Sequence, residues 1–339
     1  MKIMILAACA LGASFGAQAH HSYSEYDQTR IVEIEGTLVS VALQNPHVHF
    51  EVKGAGPDGR DVSWRLEATS LNWVKRIKVP PELLRVGSHV KFAGWPSRRS
   101  ATRMYALNML AADGREVLFF RDAKPRWART ALGFGAEGAA SFFSGGVASG
   151  SDSLFRVWSS HLGNPASMFS LTAPLALTES AKKAVAAFDP INNTTTRGCK
   201  PKGMPVLMSQ PPPMEIRKRA DAIELRTEEY ELVRTIHMTA SVAAEAQPRT
   251  PLGYSVGRWE GKTLVVETSR VNYPFLDSAG VPLSANARFV ERFTPTPDGS
   301  RLDYTLTVTD PDSLRTPAEF RRYWVWRPGE KVLPYKCVE

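Results

Sequence analysis

The sequence predicts an all-β protein of two antiparallel β-barrel domains, an OB-like barrel followed by a calycin- or lipocalin-like meander barrel, with few short helices. Three observations predict it. Runs of five to nine residues alternating apolar and polar recur along most of the chain, at a period that places one side of each strand in a core. Turn signals such as Glu260-Gly261-Lys262 and Pro297-Asp298-Gly299 punctuate these runs. Between the two strand-rich regions lies an Ala-, Gly- and Ser-rich stretch with little periodicity, and 339 residues leave room for about two domains.

The chain opens on a leader. Lys2 supplies a minimal positive n-region, residues 3–15 an apolar segment, and Ala17-Gln18-Ala19 an A-x-A cleavage box, so residues 1–19 read as a secretory signal peptide. Leu6-Ala7-Ala8-Cys9 offers a rival lipoprotein box, but it leaves only about six apolar residues ahead of the cut, fewer than such leaders need. Cleavage after Ala19 would give a periplasmic protein that begins with His20. No other segment approaches the length of a transmembrane span, which predicts at most weak association with a membrane surface.

Residues 20–121 carry the first barrel. Strands are expected at 31–43, 47–53, 62–68, 89–95 and 103–110, with one helix at 70–79 ended by Pro80-Pro81. Five strands with a helix between the third and fourth is the order of an OB-type barrel. Residues 122–153 read as a linker and 154–213 as an irregular lead-in, its one helix at 178–187 capped by Thr178. The second barrel, residues 214–339, shows strands at 214–219, 223–227, 231–238, 254–259, 263–269, 288–294, 302–309 and 319–326. About eight consecutive antiparallel strands favour closure, because closure removes exposed edges.

Composition limits the function. The net charge of +8 would suit nucleic acid in a cytosolic protein, but the leader argues against that partner. The basic residues fall in small groups such as Arg98-Arg99, Arg217 to Arg219 and Arg321-Arg322, which read as solvated strand faces. Without the leader two cysteines remain, Cys199 and Cys337, and an even pair in an oxidising compartment predicts a disulfide.

Four of the seven histidines form two clusters, His20-His21 at the expected mature terminus and His47 with His49 at the start of a strand. Residues two apart in a strand share a face, and an N-terminal histidine offers an amine and an imidazole together. His20, His21, His47 and His49 are therefore candidate ligands for copper or zinc, with His20 and His47 the preferred pair. Gly253-Tyr254-Ser255-Val256-Gly257 matches the nucleophile-elbow pattern but lacks the helix that must follow, so Ser255 reads as a strand residue between packing glycines. Glu228-Glu229 and Asp310 with Asp312 have no acid-base spacing and are assigned to turns. The aromatics Trp259, Phe289, Phe293, Tyr304, Phe320, Tyr323, Trp324 and Trp326 would fill the second barrel or line a cavity for one small apolar molecule.

The residues Ala19-His20-His21-Ser22, Tyr26-Asp27, Gly36-Thr37, Asn45-Pro46-His47, Gly94-Trp95-Pro96 and Asp113-Gly114-Arg115 resemble a large bacterial family of exported domains of unknown function, whose members carry AHHS and NPH motifs. The downstream residues Cys199, Gly203-Met204-Pro205, Pro213 to Ile216, Arg234 to Met238, Gly257 to Thr268 and Val290 to Phe293 resemble a companion region of longer hypothetical proteins. The resemblance implies that His20, His21 and His47 occupy motif positions, that His49 does not, and that the insert at 130–150 is atypical. It brings no assigned activity. The sequence thus predicts a non-enzymatic periplasmic binding protein for a metal ion or small apolar molecule. The alternatives are a metal-dependent enzyme using the same histidines and an envelope interaction module.

Overall fold

The computed structural model describes residues 23–134, 146–150, 153–162, 164–192, 199–210, 212–239 and 244–338. The predicted leader, His20 and His21 lie outside the described residues. The first barrel comprises β1 (Val32–Ala42), β2 (His49–Ala55), β3 (Asp61–Glu67), β4 (His89–Pro96) and β5 (Arg103–Leu110). Its spatial order is β3-β2-β1-β4-β5, closed by a parallel pairing of β3 with β5. The predicted helix is present as α1 (Leu71–Arg76), entered through Ser70, whose hydroxyl accepts from the Trp73 amide.

Alternation sets the core of this barrel. Leu38, Phe50, Val52, Leu66, Phe92 and Met104 are all fully buried and pack together. A bulge between Ala93 and Gly94 brings β4 against β5 so closely that a side chain at position 94 would meet the Tyr105 carbonyl. The bend leaves Trp95 stacked on Tyr105 at 5.8 Å, on the barrel wall rather than in its interior. Two short strands extend the sheet, β6 (Glu116–Leu118) and β7 (Ala131–Gly133). β7 falls inside the stretch read as a linker; three residues are too few to show a periodicity.

Chain order then gives β8 (Val157–Ser160), β9 (Ser170–Leu171) and α2 (Glu179–Ala187), capped as expected by Thr178, whose hydroxyl accepts from Ala181 at 3.2 Å. The remaining strands are β10 (Met214–Lys218), β11 (Ala222–Thr227), β12 (Val233–His237), β13 (Tyr254–Glu260), β14 (Thr263–Ser269), β15 (Arg288–Pro295), β16 (Arg301–Thr309) and β17 (Ala318–Val325). The second barrel closes with nine strands rather than eight, because β8 inserts between β10 and β17, and β16 pairs with β17. It also departs from a pure meander where β12 runs parallel to β13.

The interior of the second barrel holds Phe289, Phe293, Tyr304, Phe320 and Trp324, with Phe293 and Tyr304 4.8 Å apart. Among them lies a buried polar network. Arg234 pairs with Glu291 and donates to Ser255 at 3.0 Å and Thr268 at 2.7 Å, while Tyr304 donates to Glu291 at 2.8 Å. Burial and the neighbouring carboxylate push the Tyr304 hydroxyl well above the usual phenol range. Ser255 is thus a strand residue, and Gly257 gives room to Ile236 and Met238.

Three expectations are corrected, the first being Tyr323, which alternates to the outer face of β17 beside His161 and Arg301. Trp259 is 45% exposed, because it sits where β13 leaves the barrel for its hairpin. Arg322 is not on a solvated face: the alternation of β17 turns it inward with Phe320 and Trp324. There it lies 4.2 Å over the Trp324 ring and donates to the Met208 and Gln210 carbonyls and to Ser160.

Candidate functional site

The two barrels meet along a cleft, and the local chain geometry of both builds it. The turn after β1 contains the cis peptide bond Asn45-Pro46, after which Val48 and Phe50 enter the core of the first barrel. His47 and His49 are the less buried positions of this alternation. His49 is exposed, and burial nearby together with the charge of His47 holds its imidazole below the usual histidine range. His47 is half-buried and turns into the cleft.

His47 Nδ1 donates to the Ala68 carbonyl at 2.7 Å, which directs Nε2 toward Glu67 Oε1 at 3.3 Å. Glu67 is buried at the end of β3, and its other oxygen accepts from the Tyr26 hydroxyl at 2.9 Å. The Tyr105 ring stands edge-on to His47 at 6.2 Å, with its phenol pushed up by burial. One wall thus presents an imidazole, a carboxylate and a neutral phenol in contact.

The facing wall comes from the second domain. Lys202 donates to Glu229 and Gln210, each at 3.1 Å. Tyr230 has a φ of 60° and Glu231 a φ of 52°, left-handed backbone at two consecutive residues with side chains, which costs on the order of 1–3 kcal/mol each. That turn brings the Tyr230 ring to 5.2 Å from Tyr335 at the cleft wall. Burial and the charge of Glu229 raise the Tyr230 hydroxyl above its ordinary range.

These residues enclose two adjoining chambers. The polar one has a volume of about 200 Å³ and is lined by His47, Glu67, Lys202, Glu229, Tyr230 and Tyr335. The second, of about 230 Å³, is lined by Phe119, Phe120, Phe134, Leu162, Met168 and Arg121. Tyr23, Thr69, Trp73 and Tyr105 line both. Together the chambers approach the size of a small-molecule site, and neither barrel builds them alone.

The chain near its last described residues holds the walls together. Cys199 and Cys337 are joined in the disulfide the sequence predicted, and each lies close along the chain to a lining residue, Lys202 or Tyr335. Val338 donates to the Asn45 carbonyl at 2.9 Å, Asn45 in turn donates to the Tyr335 carbonyl, and Asn72 donates to Pro334 at 3.2 Å. Glu228 lies in the turn after β11, as expected, but is buried there: Arg76 from α1 pairs with it and with Glu330 at 3.2 Å. Asp310 is likewise buried, accepting from Ser284, although a turn does follow it.

Of the four candidate metal ligands, the structure places His47 in the cleft and His49 outside it, while His20 and His21 fall outside the described residues. Among the described residues no group of three His, Cys, Asp or Glu side chains is arranged to hold a metal ion. Sequence reading missed Glu67, Tyr105, Lys202, Tyr230 and Tyr335. Only Glu67 carried a signal, as a charged residue closing a strand whose alternate positions are apolar.

Residues 8–105 match the profile of a family described as of unknown function, DUF6152. This covers most of the first barrel, including His47 and Glu67. No curated protein and no solved structure matches the chain.

Proposed function

We propose that this chain is an exported binding protein of the periplasm that takes a small molecule into the cleft between its barrels. The observation that carries the reading is the pair of adjoining chambers, one polar and one aromatic, whose walls come from both domains, with a disulfide close to the lining. Concave sites of this make-up, mostly apolar with a few convergent polar groups, are where ligands bind. The leader and the disulfide both suit an oxidising compartment, and among the described residues no helix is long and apolar enough to cross a membrane.

The test is to recover untagged protein from its native periplasm, denature it and identify released small molecules by mass spectrometry. A compound released in near-stoichiometric amount from the wild type, and absent from Ser209→Trp, would support the reading, since Ser209 lines the aromatic chamber. Equal release from both proteins would place the ligand elsewhere.

A second reading, metal binding with or without catalysis, is favoured by the position of Tyr23. This residue lines the polar chamber beside His47 and Glu67, and a terminus at His20 is only three residues away, a reach of about 10 Å. His47 Nε2 and Glu67 Oε1, 3.3 Å apart, are spaced as two ligands of one ion can be, with the His20 amine and imidazole completing a copper or zinc site. His21 and His49 would be reserves. Intact mass and metal content on the same preparation test it: a His20 terminus with about one metal per chain supports it, and a chain that neither holds nor takes up metal removes it.

A further inference from the structure

The aromatic chamber carries one cation, Arg121, and that residue narrows the class of ligand. Its Nε lies 3.2 Å from Asp122, whose side chain is largely exposed, and its guanidinium sits over the Phe120 ring. Its Nη1 meets Met168 Sδ at 3.7 Å, and both residues line the chamber. A thioether is a weak acceptor, so this edge of the guanidinium, on a side chain 35% exposed, has no oxygen partner among the described residues. The charges of the polar chamber are spoken for differently: Lys202 is met by Glu229, and His47 by Glu67.

The walls set the shape of the remaining part. Trp73 and Phe134 lie 5.3 Å apart, and Phe120, Phe119, Leu162 and Met168 complete the surround. Rings at these spacings accept another ring by offset or edge-to-face contact, which adds to the stabilisation from burying its area. A cationic ligand would be repelled by Arg121, and a neutral apolar one would leave the guanidinium edge unpaired. We propose that the chamber takes a flat aromatic carboxylate, with its ring system among Trp73, Phe120 and Phe134 and its carboxylate on Arg121. This rests on the cleft being a ligand site.

The probes are 2-naphthoate and its neutral counterpart 2-naphthylmethanol, titrated calorimetrically into the full chain. The carboxylate binds about tenfold or more tightly than the alcohol, because a charge-assisted pair forms only with the former. Arg121→Gln brings the two affinities together, and Ser209→Trp abolishes binding of both. Equal affinities of the two probes for the wild type would overturn the carboxylate assignment and leave the cleft reading standing. Binding of neither probe would overturn the assignment and count against the cleft as well. Arg121 is partly exposed, and circular dichroism of the glutamine variant confirms that its loss is local.

Discussion

The Arg76 guanidinium on α1 of the first barrel rests with both terminal nitrogens on the Glu228 carboxylate of the second domain, and both side chains are buried. Glu228 also accepts from the Leu333 amide at 2.8 Å, and Arg76 donates to the Lys331 carbonyl at 2.9 Å. The pair therefore joins three segments distant in sequence: α1, the turn after β11 and the residues that follow β17.

Arg76→Ala leaves Glu228 as an uncompensated buried charge and is expected to cost about 3–5 kcal/mol, whereas replacing both residues by apolar ones of similar size costs much less. Urea unfolding of the two single variants and the double variant measures this. Additive losses would show that the two side chains act independently.

Removing the disulfide by Cys199→Ser with Cys337→Ser lowers stability by about 4–5 kcal/mol on the chain-entropy account, since the bond closes a loop with a sequence separation of 138. Because Lys202 and Tyr335 flank the bond, ligand affinity falls as well. Thiol counting on the unreduced mature protein should find none, and two titratable thiols would refute the bond.

Thr178→Ala removes the cap of α2 and should lower the unfolding free energy by about 1 kcal/mol, with Thr178→Ser close to wild type. The hydroxyl also donates to the Asp312 carbonyl at 2.9 Å, so hydrogen exchange at Ala181 and Lys182 separates the local effect from the tertiary one. Unchanged protection at both amides would mean the cap contributes nothing.

On the metal reading, His47→Ala abolishes tight copper uptake by the chain that begins at His20, and His49→Ala leaves it intact because that side chain lies outside the cleft. Uptake weakens as the pH falls, since protons compete for imidazole and amine ligands. Isothermal titration at two pH values reads both effects, and equal uptake by the His47 variant would move the site.

The strands were legible wherever alternation ran long enough. β15 and β16 show inward residues at every second position over most of their length, and their bounds were read to within a residue or so. β8 was not legible: four residues that share two register pairs with each neighbour have no period of their own. Buried charges were missed because composition assigns arginine and glutamate to the surface. Arg234 and Arg322 nonetheless sit at inward positions of their strands, so their period, read without regard to charge, points to the core. The cleft was illegible for a different reason: its lining runs from Tyr23 to Tyr335, and no local pattern registers residues that tertiary structure alone brings together.

The return of Val338 to Asn45 has a temporal side. A chain synthesised N-terminus first presents the five strands of the first barrel long before residues 330–338 arrive. Asn45 and Asn72 wait for the backbone of Tyr335 and Pro334, and Arg76 waits for Glu228, so the earliest part of the molecule to emerge is among the last to be completed. The cleft between the barrels accordingly comes into being only at the end of assembly, when residues 330–338 have closed on the first barrel.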